Sequence, residues 1–379
     1  MDYRMISADD HLDLQYLPPD LWSARLPKAL RERAPRIEER NGGATWVCEG
    51  QAWGRWSGAS KGKRLKPNPN AFDRIGIEES EMRPANAQLR LADMDRDGVE
   101  AQVMYGPITS MNIADPALRA ACYRSYNDWL KEFCAAAPRR LLGAACLPPE
   151  DPQAARDEIC RIAKEGALRQ VNLQVAWANP RLHDAAWEPV WNALEETGLI
   201  LSFHIVIFGV GGNSLGIRPP EENKPASIFA ATKLYMGQFL DPFVDLFAWG
   251  ILERHPKLRI VMAEAGVGWL PWIVQELDHR YARLFEAKEY WDQRGGINLH
   301  MKPSELFRRQ IWASFQEDEV ALQLVKFFGD GHLLWASDYP HPDGTWPRSR
   351  ETIERQMSHL PAAVRRQITR DNAAALYGL

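Results

Sequence analysis

The sequence contains little cysteine, and its five cysteines include no C-x-x-C pair. An odd number of widely spaced cysteines is not typical of a disulfide framework or of a thiolate zinc site. We therefore expect reduced thiols that pack as small apolar side chains, and a cytoplasmic location. The residues are Cys48, Cys122, Cys134, Cys146 and Cys160.

The chain also lacks long apolar segments and concentrations of charge of one sign. No stretch approaches the roughly 18 uninterrupted apolar residues of a membrane span, and residues 1–7 do not combine a basic start with an apolar core. The formal net charge is −4, from 46 basic and 50 acidic residues. These absences argue against a membrane protein, an exported protein and a nucleic-acid-binding protein, so we expect a small-molecule substrate.

Short apolar runs alternate with longer segments of helical period along the whole chain. Strands that alternate with helices form parallel βαβ units, and eight of them in 379 residues favour a closed barrel over an open sheet. The predicted fold class is α/β, a (β/α)8 TIM barrel in a single domain over residues 1–379. The predicted strands are 4–8, 101–105, 141–147, 170–175, 199–204, 258–263, 311–315 and 332–337.

Two segments interrupt this alternation. Residues 36–84 contain several tryptophans and a basic patch at 61–66, and we interpret them as a long insertion after the first strand that lies over the active-site face. Residues 207–224 are rich in glycine and proline and follow His204 closely, which is typical of a mobile active-site loop. A surface excursion or a contact between subunits is an open alternative for both segments.

Polar side chains stand at the ends of three predicted strands. The first strand leads into Asp9-Asp10-His11, the fifth ends in His204, and the eighth leads to Asp338. The carboxyl ends of the strands in a parallel barrel form one face, where such barrels carry out their chemistry, so these side chains should converge. Because strand side chains alternate in direction, Asp9 and His11 can point into the barrel mouth while Asp10 points elsewhere.

Imidazole and carboxylate in this combination are ligands of a divalent cation. We predict that one metal ion is bound by Asp9, His11, His204 and Asp338. A single histidine at a strand end is more often a packed or surface residue than a ligand, so the coincidence of three strand ends carries this prediction.

Glu264 ends the sixth predicted strand and precedes the turn Ala265-Gly-Val-Gly268. It would lie at the same rim, as a metal ligand, a general base or a partner of a ligand imidazole. A structural alternative is a carboxylate that caps the helix beginning near Trp269. Tyr105 closes the second strand and is a candidate for the pocket lining, although packing is the default role of such a residue.

Six motifs occur in order along the chain: Ile6-Ser-Ala-Asp-Asp-His11, Pro18-Pro-Asp-Leu-Trp22, Arg90-Leu-Ala-Asp-Met-Asp95, His204, Glu264-Ala-Gly-Val-Gly-Trp-Leu-Pro271 and Ser337-Asp-Tyr-Pro-His341. Together they resemble the amidohydrolase superfamily, in particular the branch that contains aminocarboxymuconate-semialdehyde decarboxylase, γ-resorcylate decarboxylase and 5-carboxyvanillate decarboxylase. The resemblance spans essentially the whole chain, and the last motif is its most specific part.

The resemblance implies a barrel with one divalent metal ion, usually zinc or manganese, and an enzyme that removes carboxylate from an aromatic or dienic acid without redox chemistry. By position, Asp9 and His11 resemble the first-strand ligand pair. His204 resembles the fifth-strand ligand, and Asp338 resembles the last-strand carboxylate. No fourth-strand lysine of the carbamylated binuclear type is apparent, which implies a mononuclear site. Where the decarboxylases commonly carry histidine after the sixth strand, this chain has Glu264.

Three functions are consistent with such a site. In a non-oxidative decarboxylase, the metal acts as Lewis acid and template, and Asp338 or Glu264 protonates the carbon that loses carbon dioxide. In a hydrolase of a C–C, amide or ester bond, Asp338 acts as base toward metal-activated water. The third function is a barrel that only binds a ligand, and an intact ligand set disfavours it.

The remaining expectations concern the substrate and the assembly. Candidates to bind a carboxylic acid substrate are Tyr105, His341, Arg280 and Arg350, the arginines because guanidinium matches a carboxylate bidentately. Charged residues at a rim are more often solvated or at subunit contacts. We expect a homo-oligomer, either a dimer or a tetramer, and the tryptophans of the insertion are candidates for the contact.

Overall fold

The computed structural model describes residues 1–40, 43–56, 72, 82–107, 111, 113–205, 226–329 and 331–379. The predicted loop at 207–224 and the predicted basic patch at 61–66 lie outside these residues. In chain order the strands are β1 (Met5–His11), β2 (Arg36–Arg40), β3 (Gly43–Cys48), β4 (Gln51–Arg55), β5 (Val99–Tyr105), β6 (Leu141–Leu147), β7 (Gln170–Leu173), β8 (Ile200–His204), β9 (Ile260–Ala263), β10 (Ile311–Phe315) and β11 (Leu333–Trp335).

Eight of these strands form one parallel sheet in the order β1-β5-β6-β7-β8-β9-β10-β11. The predicted (β/α)8 TIM barrel is therefore confirmed, with every predicted strand present. The largest differences lie at β1, which continues to His11, and at β11, which stops at Trp335. The last strand is short because the N–H of Ser337 donates to the hydroxyl of Ser7, at 2.7 Å, and not to a main-chain carbonyl.

The barrel closes between β1 and the segment that follows β11. The N–H of Asp338 donates to the carbonyl of Asp9 at 2.9 Å, and the N–H of His11 donates to the carbonyl of Tyr339 at 2.7 Å. These main-chain bonds lie at the carboxyl end of β1. They hold Asp338 beside Asp9 and His11, the two residues of β1 that were predicted to be metal ligands.

Helices surround the barrel, and local sequence signals set their ends. In chain order they are α1 (Leu21–Arg25), α2 (Ala87–Asp97), α3 (Pro116–Cys134), α4 (Pro152–Glu165), α5 (Glu188–Thr197), α6 (Ala226–Ala248), α7 (Ile251–Arg254), α8 (Leu270–Glu286), α9 (Lys288–Asp292), α10 (Pro303–Gln310), α11 (Glu319–Gln323), α12 (Val325–Phe328), α13 (Ser349–Met357), α14 (Ala362–Arg366) and α15 (Asn372–Tyr377). Asp115 and Asp151 accept main-chain N–H bonds at the starts of α3 and α4. Within the described ranges, none of the helices combines the length and the hydropathy of a membrane span.

Small side chains line the barrel interior, and the last helix fills its amino end. Leu376 and Tyr377 of α15 pack in one buried cluster with the interior residues of the strands. Arg169, which directly precedes β7, donates to the carbonyl of Gly378 at 3.2 Å and so places α15 at the amino ends of the strands. The buried interior alanines are Ala8, Ala101, Ala144 and Ala263.

The strands β2, β3 and β4 form a separate antiparallel sheet within the predicted insertion. Two indole N–H groups anchor it to the segment after β1: Trp46 donates to the carbonyl of Leu14 at 2.7 Å, and Trp56 donates to that of Leu17 at 2.9 Å. Because this segment follows the carboxyl end of β1, the small sheet stands at the same end of the barrel as the polar strand ends. Its action as a cover over a substrate stays a prediction.

All five cysteines lie in the described part of the chain, and none of them forms a disulfide bond. Cys48, Cys122, Cys134 and Cys146 are buried. Burial raises the pKa of the Cys134 thiol to about 12. These thiols are protonated at neutral pH and pack as apolar groups.

A fully buried arginine ties α2 to the strands beneath the polar cluster. The Arg90 guanidinium donates to Gln102 Oε1 and to the carbonyl of His11, each at 2.8 Å. Burial raises the pKa of Asp10 to about 7, and the charge of Arg90 limits that rise. The positive charge of Arg90 and the negative charge of Asp10 therefore offset each other in a region that solvent does not reach.

We expect Arg90→Met to lower the free energy of unfolding by roughly 3–5 kcal/mol, because it leaves the buried Gln102 amide oxygen and the His11 carbonyl without their donor and removes the charge that faces buried Asp10. Arg96→Met, at an exposed position of the same helix, is the matched control and should change stability by less than about 0.5 kcal/mol. Urea denaturation measures both variants. Similar midpoints for the two would contradict a structural role for Arg90.

Candidate metal centre

Imidazole and carboxylate groups meet at the carboxyl end of the barrel. His204 Nε2, at the end of β8, lies 3.3 Å from Asp9 Oδ1. His11 Nε2 lies 3.0 Å from Asp338 Oδ1. Glu264, which follows β9, brings its Oε2 atom within 3.3 Å of His204 Nε2 and 4.0 Å of His11 Nε2. The structure thus brings together the four predicted ligands and Glu264.

Two of these carboxylates stand on left-handed backbone. The φ angle is 49° at Glu264 and 56° at Asp338, and only four described non-glycine residues have a positive φ. This conformation costs a side-chain-bearing residue roughly 1–3 kcal/mol and is concentrated at functional sites. The rest of the barrel therefore holds Glu264 and Asp338 at the rim in a backbone conformation that these residues do not prefer.

Several buried acceptor atoms of this cluster face one another without a donor. Asp9 and His11 have no exposed surface, His204 is 2% exposed and Asp338 is 1% exposed. Leaving such atoms unpaired costs about 1–3 kcal/mol each. Among the described residues, the atoms without a hydrogen-bond partner include Asp9 Oδ1, His11 Nε2, His204 Nε2 and both carboxylate oxygens of Asp338.

A divalent cation fits this arrangement. Ligand atoms of Asp9, His11 and His204 lie within 4.8 Å of one another, and a second such group adds Glu264, Asp338 and His341 to His11. Carboxylate oxygen and imidazole nitrogen are donors for zinc and for manganese. A cation among these atoms would satisfy acceptors that no protein donor reaches.

The His204 ring is oriented as a ligand by its own backbone. Its Nδ1 atom lies 2.6 Å from the carbonyl of Ile205. A carbonyl only accepts, so Nδ1 carries a proton and Nε2 is the nitrogen that faces Asp9 and Glu264 and is available to a metal ion. An imidazole whose other nitrogen is fixed in this way is typical of metal sites.

The structural alternative for Glu264, a cap on the following helix, is wrong. The N-cap of α8, Trp269, has no side-chain cap hydrogen bond, and the turn before the helix is held by Asp318, whose Oδ2 atom accepts from the N–H groups of Val267 and Gly268 at 2.9 and 2.7 Å. The Glu264 side chain points instead into the cluster. Glu264 is therefore available for chemistry.

Glu264 and Asp338 differ in their affinity for a proton. Burial and the neighbouring Asp338 carboxylate raise the pKa of Glu264 to about 7. Burial also acts to raise the pKa of Asp338, but His341 and His11 outweigh it and hold that pKa below its usual range. Near neutral pH, a proton shared by the two carboxyl groups resides mainly on Glu264.

Two further polar residues border the cluster. His341 Nδ1 lies 3.1 Å from Asp338 Oδ1, and His341 Nε2 lies 2.8 Å from Asp13 Oδ2. The sequence predicted only substrate binding for His341, and Asp13 was not among the predicted site residues. Asp13 follows His11 by two residues, so continued strand alternation was an available signal for it.

The other predicted substrate-binding residues lie away from the rim. Tyr105 is fully buried, and its hydroxyl accepts from Gln170 Nε2 at 2.6 Å, so it forms the floor beneath His204. Arg280 is on the exposed side of α8 and pairs with Glu276. Arg350 donates to the carbonyls of Met1 and Tyr3, which precede β1 at the opposite end of the barrel.

The family model described as Amidohydrolase matches residues 62–379. Gamma-resorcylate decarboxylase from Rhodococcus jostii (strain RHA1) is 26% identical over 313 residues, which are 77% of this chain and 87% of that protein.

Solved structures share the fold. 5-Carboxyvanillate decarboxylase from Sphingomonas paucimobilis has a TM-score of 0.68 at 21% identity, with 100% of both chains covered. Dihydroxybenzoic acid decarboxylase from Polaromonas sp. JS666, solved with bound manganese and the inhibitor 2-nitroresorcinol, has a TM-score of 0.62 at 17% identity. That match covers 100% of this chain and 97% of the Polaromonas chain.

Proposed function

The chain belongs to the amidohydrolase family, and because its barrel gathers a set of metal-ligand side chains at one rim, we propose that it is a metal-dependent non-oxidative decarboxylase of an aromatic or unsaturated carboxylic acid. The observation that carries the proposal is the convergence of partnerless acceptors on Asp9, His11, His204 and Asp338. Similar proteins named for the decarboxylation of aromatic acids support the substrate class.

We propose one divalent ion per chain, zinc or manganese, held by Asp9, His11, His204 and Asp338. When bound, the ion would supply a Lewis acid and a template for the substrate carboxylate and a neighbouring oxygen. The manganese in the Polaromonas decarboxylase supports manganese as one of the two candidates.

The protein residues then have to deliver a proton to the carbon that loses its carboxylate. We assign that delivery to Asp338, which lies at the rim beside both ligands of β1. Ligand atoms of Glu264 and Asp338 lie within 4.8 Å of each other, so Glu264 is close enough to supply Asp338 with a proton. Glu264 holds the proton near neutral pH, and transfer through Asp338 places it on the substrate.

Product analysis separates decarboxylation from hydrolysis. The metal-loaded enzyme is incubated with 2,6-dihydroxybenzoate and 5-carboxyvanillate, once in D2O and once in water enriched in 18O. We expect carbon dioxide release and one deuterium on the carbon that carried the carboxylate. The chelator-treated protein, before and after metal is restored, is the control.

Oxygen from solvent in the organic product would instead support the hydrolase, in which Asp338 acts as base. The organic product is the informative one, because carbon dioxide itself exchanges oxygen with water. A metal-loaded protein that turns over no acid of the class would contradict the decarboxylase proposal.

We further propose a homo-oligomer, a dimer or a tetramer, and a cytoplasmic location. Exposed aromatic side chains on α8 and α9 support an association surface: Trp272, Phe285 and Tyr290. The unbridged thiols support a reducing compartment.

A further inference from the structure

Asp13 lies beside two stacked imidazole rings, those of His11 and His341, at the edge of the metal cluster. Its Oδ2 atom is 2.8 Å from His341 Nε2, and its Oδ1 atom is 3.6 Å from His11 Nδ1. The two rings are nearly parallel, with centroids 3.8 Å apart and planes inclined by 24°. Asp13 itself is 8% exposed. One carboxylate therefore faces the outer nitrogens of both rings.

Only one of these two contacts is a hydrogen bond. His341 Nε2 lies 2.8 Å from Asp13 Oδ2, whereas the 3.6 Å between His11 Nδ1 and Asp13 Oδ1 is too long for one. Because a carboxylate oxygen accepts, the contact holds the His341 ring with the Nε2–H group toward Asp13 and with Nδ1 toward the cluster.

Both inner nitrogens face the same oxygen. Asp338 Oδ1 lies 3.1 Å from His341 Nδ1 and 3.0 Å from His11 Nε2. Three such polar atoms in a buried site need positive charge among them, which protons supply in the metal-free protein and a metal ion can supply in their place. Ligand atoms of His11, Glu264, Asp338 and His341 all lie within 4.8 Å of one another, close to twice a metal–ligand distance of about 2.0 to 2.2 Å.

We infer that His341 is a further ligand of the metal ion and that Asp13 is the positioning residue that turns the His341 ring toward it. This inference rests on the proposed metal centre and enlarges its ligand set from Asp9, His11, His204 and Asp338 to five side chains.

The test uses two variants of the full chain and a matched control. His341→Phe removes both ring nitrogens and keeps an aromatic ring against His11. Asp13→Asn keeps the volume and removes the charge. Asp343→Asn removes a carboxylate charge at an exposed position two residues beyond His341. Each protein is stripped with a chelator, and calorimetric titration with Mn²⁺ gives its dissociation constant.

The visible absorption of the Co²⁺-substituted proteins reports the number of donors, because the bands gain intensity as the coordination number falls. Circular dichroism and thermal unfolding of the metal-free proteins establish that the variants fold. His341→Gln replaces His341→Phe if the latter does not fold. The amide of glutamine can still donate to Asp13, but it supplies no ring nitrogen.

We expect Mn²⁺ to bind more than about a hundredfold more weakly to His341→Phe, which loses a ligand, and about ten- to a hundredfold more weakly to Asp13→Asn, which loses only the partner of a ligand. The Co²⁺ bands should become more intense in His341→Phe, which loses a donor. Asp13→Asn should weaken binding and keep the band intensity, because the ring stays in place and loses only its orienting charge. Asp343→Asn should match the wild type in both measurements.

A His341→Phe protein with wild-type affinity and wild-type bands would overturn the inference. The proposed metal centre would survive that result if His204→Ala still lost the ion. A wild-type chain that binds neither Mn²⁺ nor Co²⁺ would overturn both.

Discussion

Asp338→Asn should lower kcat by roughly a hundred- to ten-thousand-fold, the range expected for loss of a general acid, while the protein retains its fold and much of its metal. The amide has no carboxyl proton to transfer, but its oxygen can still approach the ion. The bond from the N–H of residue 338 to the carbonyl of Asp9, at 2.9 Å, involves only main chain and should persist. Turnover of the best acid substrate, measured with the metal content per chain, tests this expectation.

The matched control for this variant is Asp343→Asn, which removes an exposed carboxylate five positions further along the chain. It should leave turnover unchanged. Wild-type turnover in a metal-loaded Asp338→Asn protein would refute the role of Asp338 in proton delivery. The shared proton would then have to reach the substrate from Glu264 directly.

His204→Ala should abolish binding of the ion at micromolar concentrations. Loss of an outer partner of a metal ligand already weakens binding ten- to a hundredfold, so loss of the ligand itself should exceed about a hundredfold. An ion that binds only the folded state stabilises it, by about 2.7 kcal/mol at a hundred times the dissociation constant. The melting temperature of the wild type should therefore rise with added Mn²⁺, and that of His204→Ala should not.

The control for this variant is His279→Ala, which removes a largely exposed imidazole on α8. It should show the same rise with Mn²⁺ as the wild type. Elemental analysis of the purified proteins gives the stoichiometry independently. An equal rise for His204→Ala, or no rise for the wild type, would remove the central role given to this residue.

The barrel could be predicted from the sequence because buried parallel strands appear as short apolar runs, and eight such runs alternate with helical segments. The strand ends were less predictable. The last strand stops at Trp335 because the N–H of Ser337 bonds to a side-chain hydroxyl of Ser7, far away in the sequence. No local pattern reports a partner at that distance.

The predicted ligands came together because each ends a strand of one parallel barrel, where position in the chain determines position in space. Asp13 and His341 lie beyond strand ends, in segments without a regular period, so the pattern does not fix their direction. Arg350 illustrates the opposite failure. The guanidinium of Arg350 suits a carboxylate ligand. The sequence of α13 does not reveal, however, which end of the barrel the first turn of this helix approaches. In the structure that turn lies beside Met1 and Tyr3, at the end opposite the metal cluster.

The left-handed backbone at Glu264 and Asp338 has a consequence for the interpretation of variant libraries. Glycine adopts this conformation without steric cost, so Glu264→Gly and Asp338→Gly relieve the backbone as they remove the chemistry. In metal-free protein, a screen that scores abundance or solubility would rank these changes as neutral or favourable. Selection at these two positions becomes visible in an assay of catalysis or of metal binding, and abundance data for the metal-free protein would classify the centre of the site as tolerant to change.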